Sequence, residues 1–135
     1  MSMLRRGVYY VERGHIPNVH FARATVEALP FRAGLFDAAI CAGSLNHFSD
    51  TVFALREINR SMKVGAPLAV MCFARINSGL IARKSVRDWA AKGGGHIDSV
   101  ADLNRYVAQA GFEDFCPHTY GSVLVFSARK RPAER

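Results

Sequence analysis

Apolar and polar residues follow one another along the chain in two patterns, one typical of helices and one typical of strands. Leu4, Val8 and Val11 recur at helical spacing and predict an amphipathic helix over Met3–Arg13. Over Val19–Ala24, apolar and polar residues alternate one by one, which predicts a half-buried strand. The N-terminal part of the chain is therefore expected to run from a helix into a strand.

Two nearly continuous apolar runs, Phe36–Ala42 and Pro67–Ala74, predict buried strands. The first has the composition of a parallel strand covered on both faces, so we expect it in the middle of a sheet. Between the two runs, Asp50 can cap a helix over Thr51–Met62. The order strand, helix, strand makes a crossover unit, for which a right-handed connection is expected.

The C-terminal half alternates in the same way. Residues Asn77–Lys92 predict a short helix that stops at Gly93–Gly95, where three consecutive glycines indicate a mobile hinge. A second helix is predicted over Ser99–Ala110, opened by an N-terminal capping signature. The last two predicted strands, Phe112–Tyr120 and Ser122–Arg129, are expected to pair antiparallel and close the sheet. Together these elements predict the α/β fold class.

Length and composition fit a single globular domain. The chain has 135 residues, of which 50% are hydrophobic and 21% charged, so it can bury one core but not two. Its longest apolar run, Ala66–Ala74, is nine residues long, whereas a helix that crosses a bilayer needs about 20. With neither a membrane span nor an apolar stretch long enough for a secretory signal, the protein is expected to be cytoplasmic.

The net charge of +7 favours anionic partners, but its distribution is not that of a binding groove. The one dense basic run, Arg129–Arg131, is expected to be a solvated tail, and it lacks the interleaved aromatic residues of a nucleic-acid site. Cys41, Cys72 and Cys116 are spaced too widely for a metal or disulfide motif, so buried free thiols are expected. Specific binding to nucleic acid is therefore the least favoured hypothesis, and no metal site is expected.

Three stretches in the middle of the chain carry the motifs of a known family. Glu27–Phe31 reads EALPF, Gly34–Phe48 reads GLFDAAICAGSLNHF, and Ala54–Leu68 reads ALREINRSMKVGAPL. In this order and spacing they closely resemble the class I S-adenosylmethionine-dependent methyltransferases. The resemblance is to the type 11 branch, which includes methyltransferases of quinone biosynthesis, and it extends from Met3 to Lys130.

The resemblance implies a three-layer, Rossmann-like methyltransferase sheet, mostly parallel with a C-terminal antiparallel strand pair. In this family the strand order is 3-2-1-4-5-7-6, and Ser2–Leu4 resembles the start of the helix that follows the second strand. The resemblance therefore implies a truncated sheet, without the first two strands, the glycine-rich loop and the ribose-binding acid. We expect residues 1–135 to form one partial methyltransferase domain, with 77–97 as a substrate lid and 130–135 as a basic tail.

This expected truncation has consequences for the cofactor and for partners. Two lost hydrogen bonds from the ribose to a charged acceptor weaken binding by roughly 10² to 10⁴, so the isolated chain is expected to bind S-adenosylmethionine poorly. Without neighbouring strands, Phe36–Ala42 is expected to leave an apolar edge open. That edge is expected to pair in a homodimer, to meet an upstream segment in another chain, or to be covered by Val19–Ala24.

The resemblance also implies which residues form the site. Thr25 stands where the family carries an aspartate that accepts a hydrogen bond from adenine, and a hydroxyl accepts more weakly. The resemblance places Asn46 beside the cofactor or the methyl acceptor. His96 is expected in the acceptor lid because it lies between the glycine run and a helix cap, and the alternative is a solvent-exposed loop histidine. His47 is the candidate catalytic acid or base, because imidazole titrates near neutral pH and ligands bind at the carboxyl ends of such strands. The residues placed beside the cofactor are Thr25, Val26, Cys41, Ala42, Gly43 and Leu45.

Two functions are consistent with these observations. The first is methyl transfer from S-adenosylmethionine to a small-molecule acceptor, by a chain that is incomplete on its own. The alternative is a non-catalytic, oligomerising α/β module descended from a methyltransferase. Binding of the reaction product S-adenosylhomocysteine separates the two, because only an assembled cofactor site retains it.

Overall fold

The computed structural model describes residues 2–76 and 80–132, and its strands form one four-stranded sheet. The strands are β1 (Ala39–Ala42), β2 (Pro67–Phe73), β3 (Phe112–Tyr120) and β4 (Val123–Lys130). Their order is β1-β2-β4-β3, with β1 and β2 parallel and the other two neighbouring pairs antiparallel. This is the 4-5-7-6 portion of the expected strand order, so the α/β class and the Rossmann-like arrangement are confirmed.

Helices connect these strands. They are α1 (Met3–Arg13), α2 (Thr51–Ser61), α3 (Leu80–Trp89) and α4 (Val100–Gln109), with a 3-10 turn at Leu45–His47 and a π turn at Ala90–Gly94. The predicted capping of α4 is confirmed, because Ser99 and Asp102 form a complete capping box. Residues 77–79 and 133–135, which belong to the predicted lid and tail, lie outside the described residues. Among residues 2–76 and 80–132, no helix has the length and apolar character needed to cross a membrane.

The hydrophobic core lies on the face of the sheet that α2 and α4 cover. Alternate residues of β2 and β4 point into it, and Leu68 and Phe126 are 0% and 1% exposed. They pack in one cluster with Leu55 of α2 and Leu103 of α4. Residues of the opposite face are more open, and Met71 of β2 is 44% exposed. The period-two burial of β2 and β4 thus identifies the face of the sheet that packs against the helices.

The prediction of a strand over Val19–Ala24 is wrong. This segment has no regular secondary structure, and it packs on α1, where the Phe21 ring lies 2.8 Å from the position that a Cβ on Gly7 would occupy. An extended segment needs a neighbouring strand to pair its backbone groups, and none lies beside it among the described strands. The expected covering of the sheet edge by this segment is therefore also wrong.

The strand predicted over Phe36–Ala42 begins later and lies at an edge of the sheet, not in its middle. Phe36 pairs with the end of α2, where its N–H donates to the Ser61 carbonyl at 3.0 Å and its own carbonyl accepts from the Lys63 N–H at 2.8 Å. Among the described strands, β1 pairs only with β2, and Ile40 is 82% exposed. The apolar composition of Phe36–Ala42 therefore does not indicate a central strand. The strand has an open edge, as the family resemblance implied.

The basic run Arg129–Arg131 is part of the fold, so the prediction of a solvated tail is wrong for these residues. Lys130 Nζ donates hydrogen bonds of 2.8 Å to the carbonyls of Asn59 and Met62, at the carboxyl end of α2. Partial burial lowers the pKa of the Lys130 ammonium. A cation at this position satisfies carbonyls that the last helical turn leaves unpaired.

Candidate functional site

The segment that follows β1 starts with an open turn. Gly43 has a φ of +73°, in the left-handed region, and its N–H donates to the Met71 carbonyl at 2.8 Å. Apart from the adjoining residues, no atom lies within 4 Å of the position that a Cβ on Gly43 would take, and Ala42 is exposed. Leu45 is 0% exposed and anchors the 3-10 turn in the core, and the cofactor contact expected for it stays a prediction.

Asn46 joins three parts of the chain through a buried amide. Its Nδ2 donates to the carbonyls of Phe73 and His96, each at 2.8 Å, and its Oδ1 accepts from the Phe73 N–H at 2.9 Å. The Asn46 backbone carbonyl accepts from the His96 N–H at 2.9 Å. With 2% exposure, the amide holds the 3-10 turn, the end of β2 and the loop before α4 in one arrangement.

Gly95, in the glycine run predicted to be a hinge, makes a close backbone approach. Gly95 has a φ of +103°, and a Cβ there would lie 2.0 Å from the Asn46 carbonyl oxygen. The same position is 3.4 Å from the His47 nitrogen. Only glycine fits this contact, which is what allows His96 to reach Asn46.

The His96 ring lies between a hydroxyl and a carboxylate. Its Nε2 is 3.1 Å from Thr51 Oγ1, at the start of α2, and 3.1 Å from Asp98 Oδ2. The Asp98 Oδ2 atom is buried and has no hydrogen-bond partner of good geometry among the described residues. The Asp98 backbone carbonyl accepts from the Arg75 N–H at 2.7 Å, which fixes this loop to the end of β2.

His47 is exposed and stands beside an aromatic pair. Its ring centroid lies 5.6 Å from that of Trp89 in an edge-to-face arrangement, and Trp89 lies 4.8 Å from Phe73. Trp89 ends α3, within the segment predicted to form the acceptor lid. The structure therefore brings the candidate catalytic histidine, the end of β2 and the described part of that segment together.

The thiols of Cys41 and Cys72 are buried and remain protonated near neutral pH. Burial raises the pKa of Cys41, and burial together with the nearby Cys41 and Asp98 raises the pKa of Cys72 to about 12. Packing, not nucleophilic chemistry, is what these surroundings favour. Cys116 is exposed, so the prediction of a buried thiol is wrong there. Among the described residues, no group of three or more metal-ligating side chains comes together.

Thr25, expected beside adenine, is bonded to a carboxylate that sequence reasoning missed. Its hydroxyl donates to Glu27 Oε2, and Ser49 Oγ donates to Glu27 Oε1 at 3.1 Å. These bonds, the one from Thr25 foremost, hold the pKa of Glu27 below its usual value. Glu27 stands two residues after Thr25 in the recognised motif, and that spacing is the signal that could have found it. Val26, between them, is half-buried.

Two residues of the family-like motif in α2 hold the loop that carries Thr25 and Glu27. Glu57 and Arg60 form an ion pair at 2.7 Å. Glu57 Oε1 accepts from the Leu29 N–H at 3.2 Å, and Arg60 Nη2 donates to the Leu29 carbonyl at 3.2 Å. Both backbone groups of Leu29 are thus held by α2, which keeps the loop carrying Thr25 and Glu27 close to the turn after β1.

The described chain also has an open apolar groove away from these residues. It has a volume of about 640 Å³ and lies between α1 and the segment that follows it, with Val8, Val11, Val19 and Phe21 among its lining residues. None of the predicted site residues lines it. The groove is therefore distinct from the candidate site at the carboxyl ends of β1 and β2.

Comparison with known proteins places these features in a family. The model of the family described as "Methyltransferase domain" matches residues 3–70. A mitochondrial 2-methoxy-6-polyprenyl-1,4-benzoquinol methylase from Leishmania donovani is 36% identical over 80 residues, which cover 59% of this chain and 28% of that protein. The ubiquinone/menaquinone biosynthesis C-methyltransferase UbiE of Shewanella oneidensis is 39% identical over 75 residues, covering 55% and 30%. The matched part is thus less than a third of each of these relatives.

Solved structures share the fold over nearly the whole chain. An S-adenosylmethionine-dependent methyltransferase of Thermotoga maritima, a possible histamine N-methyltransferase, has a TM-score of 0.76 and 22% identity, covering 94% of this chain and 69% of that one. Haemonchus contortus phosphoethanolamine N-methyltransferase 2, in complex with S-adenosyl-L-methionine, has a TM-score of 0.83 and 13% identity, covering 96% and 41%. At these identities the likeness concerns the fold.

Proposed function

This chain belongs to the methyltransferase-domain family, and we propose that it acts in methyl transfer from S-adenosylmethionine to a small-molecule acceptor. One observation carries the proposal: the loop with Thr25 and Glu27 is bonded through Ser49 to the turn that follows β1. The residues expected beside the cofactor and those expected beside the acceptor, including His47, therefore share one end of the sheet. Ligands of open α/β sheets bind at that end.

The described residues fit the cofactor on two sides. The open, left-handed Gly43 turn and the exposed Ala42 leave room for the backbone to approach the amino acid portion. Thr25 and Val26 flank the adenine in this proposal. When bound, S-adenosylmethionine supplies a methyl group on a sulfonium sulfur, and methyl transfer then depends mainly on positioning and exclusion of water.

Glu27 supplies the carboxylate that the family's adenine-binding aspartate provides elsewhere. Its lowered pKa keeps it ionised near neutral pH, and Thr25 and Ser49 hold both of its oxygens in place. An ionised acceptor makes a stronger hydrogen bond to an amino group than the Thr25 hydroxyl would. The loss of aspartate at position 25 is in this way offset by the neighbouring glutamate.

The acceptor is placed against His47, Trp89 and the loop that Asn46 clamps. The edge-to-face contact of His47 with Trp89 and the tilted contact of Trp89 with Phe73 form an apolar wall that limits water at the reacting atoms. The two relatives described above are named for benzoquinol and quinone methylation. A hydroquinone ring is therefore the acceptor class to test first.

The test is methyl transfer to a short-chain 1,4-benzoquinol at millimolar S-adenosylmethionine, in wild type, Glu27→Gln and the control Glu12→Gln. Loss of a charge-assisted hydrogen bond to the adenine amino group should raise the KM for S-adenosylmethionine about 10- to 100-fold, with kcat little changed. Glu12→Gln removes the same charge from an exposed position in α1 and should leave KM unchanged. Equal KM values in all three proteins would contradict the role of Glu27.

We further propose that a second copy of this chain pairs with the open edge of β1. Among the described strands, β1 has only β2 as a neighbour, and Ile40 is 82% exposed. An unpaired apolar edge is a template for strand addition. The same edge is what favours the alternative function, a non-catalytic oligomerising module.

A further inference from the structure

The surroundings of His96 determine which of its ring nitrogens carries the proton. Nε2 lies 3.1 Å from Asp98 Oδ2, and an ionised carboxylate oxygen only accepts hydrogen bonds. If the neutral His96 ring carried its lone pair on Nε2, that lone pair would therefore lie 3.1 Å from the Asp98 carboxylate oxygen and be repelled by it. The arrangement favours the proton on Nε2, within hydrogen-bond distance of Thr51 Oγ1 and close to the negative charge of Asp98, with the lone pair on Nδ1.

The two nitrogens also differ in access. Thr51 is 7% exposed, the Asp98 side chain is 17% exposed and its Oδ2 atom is buried, so Nε2 faces the protein interior. The His96 side chain is 40% exposed, and its Nδ1 makes no hydrogen bond within residues 2–76 and 80–132. One ring nitrogen is thus held by protein groups, while the other meets no hydrogen-bonding group among the described residues.

The backbone places this ring at the candidate site. Asn46 binds both the N–H and the carbonyl of His96, and Gly95 lies against the peptide between Asn46 and His47. His96 and His47 are therefore on either side of Asn46. The groups that face the His96 ring or its carboxylate partner are the Thr51 hydroxyl from α2, Asp98 from its own loop, and the neutral Cys72 thiol from β2.

We propose that His96 Nδ1 accepts the proton of the methyl acceptor, and that Asp98 and Thr51 are positioning residues that hold the ring for this step. The proposal rests on the proposed methyltransferase function and names its proton acceptor, a role that sequence reasoning gave to His47. As the acceptor atom bonds to the methyl carbon, its proton passes to Nδ1. The carbon–sulfur bond breaks with its electron pair left on sulfur, and the resulting imidazolium, balanced by Asp98, releases the proton to water.

The positioning is tested by the histidine tautomer, which needs no turnover. Long-range ¹H–¹⁵N NMR of the ¹⁵N-labelled chain near pH 8 should show His96, assigned by its loss in His96→Gln, with the proton on Nε2. Asp98→Asn should shift the ring to a mixture of tautomers, because an amide can either donate to Nε2 or accept from it. The control His118→Gln, on exposed β3, should leave the His96 signals unchanged. A wild-type ring protonated on Nδ1, or an unchanged tautomer in Asp98→Asn, overturns the proposal.

The proton transfer itself is tested by kinetics with the short-chain 1,4-benzoquinol. Loss of a general base should lower kcat about 10²- to 10⁴-fold in His96→Gln, while the affinity for S-adenosylhomocysteine stays within twofold of wild type. His118→Gln should retain wild-type kcat. Turnover that survives in His96→Gln overturns the assignment of the proton acceptor alone. Absence of turnover in the wild type, with bound S-adenosylhomocysteine, overturns the proposed acceptor chemistry and this assignment together.

Discussion

Asn46 combines a polar side chain with nearly complete burial, and this combination explains the geometry of the site at the scale of one residue. Its amide makes three hydrogen bonds to the backbone of Phe73 and His96. The sequence placed Asn46 near the acceptor because of the motif around it, and direct contact with an acceptor stays a prediction. Its engaged amide favours a positioning role, which no sequence pattern could distinguish from ligand binding.

Asn46→Ala should destabilise the fold by about 3 kcal/mol, because it leaves buried backbone groups of Phe73 and His96 without partners. Urea unfolding monitored by circular dichroism measures this loss. Asn104→Ala is the matched control, since Asn104 lies on the exposed side of α4 and its replacement should change stability by less than about 0.5 kcal/mol. Equal stability of the two variants would contradict the clamp.

The Glu27 carboxylate gives a prediction for pH. Its pKa in the folded state lies below the ordinary 4.5, so the bonds to Thr25 and Ser49 favour folding at pH values above that number. The contribution is lost as the pH falls through the lower, folded-state pKa. Glu27→Gln should therefore be less stable than wild type near pH 6, and the difference should shrink as the pH falls below 4.5. Glu12→Gln should show no such pH-dependent difference, and a constant difference for Glu27→Gln would contradict the account.

At the scale of elements, helices and caps were predictable because their signals are local. Each of these signals is contained in one short segment of the chain: the helical periodicity of α1, that of α2, and the capping box of α4. The structure confirms all three helices. Strand predictions depended on neighbours elsewhere in the chain. Val19–Ala24 has a strand pattern without a partner strand, and the apolar run that contains β1 indicated a central strand although β1 lies at an edge.

The close contact of Gly95 could not be predicted either, because it also depends on a residue elsewhere in the chain. The run Gly93–Gly95 indicates freedom of the backbone, but the atom that excludes a side chain at Gly95 belongs to Asn46, far away in sequence. The bond from Ser49 to Glu27 was likewise hidden, because Ser49 comes from another loop, whereas the contact of Thr25 with Glu27 lies within one segment. Long-range contacts of this kind have no signature within one segment.

Gly95→Ala should destabilise the protein by clearly more than Gly93→Ala. Both glycines have positive φ, at +103° and +84°, so each substitution costs about 1–3 kcal/mol of backbone strain. Only Gly95 adds a clash, with a Cβ 2.0 Å from the Asn46 carbonyl oxygen, whereas nothing lies within 4 Å at Gly93. Thermal unfolding of the two variants measures the difference. If both lose the same stability, the close approach at Gly95 does not exist in solution.

At the scale of the whole molecule, the open edge of β1 predicts self-association. Sedimentation equilibrium should show a concentration-dependent dimer for the wild type and a monomer for Ile40→Lys, because a charge at an edge opposes strand pairing. Val64→Lys is the control, since Val64 is 60% exposed in the turn after α2 and should leave the dimer intact. A monomeric wild type, or a dimer that persists in Ile40→Lys, would contradict pairing through this edge.

In the proposed function, the carboxyl ends of β1 and β2, with the loop of Thr25 and Glu27, form the cofactor site of a methyltransferase. Amide chemical-shift mapping during a titration with S-adenosylhomocysteine to millimolar concentration tests it directly, even where binding is weak. We expect saturable shifts concentrated at Thr25–Glu27, at Ala42–Gly43 and at His47, with weaker binding in Glu27→Gln. Absence of shifts at these residues in a folded sample, or shifts confined to other surfaces, would contradict the claim and leave a non-catalytic module.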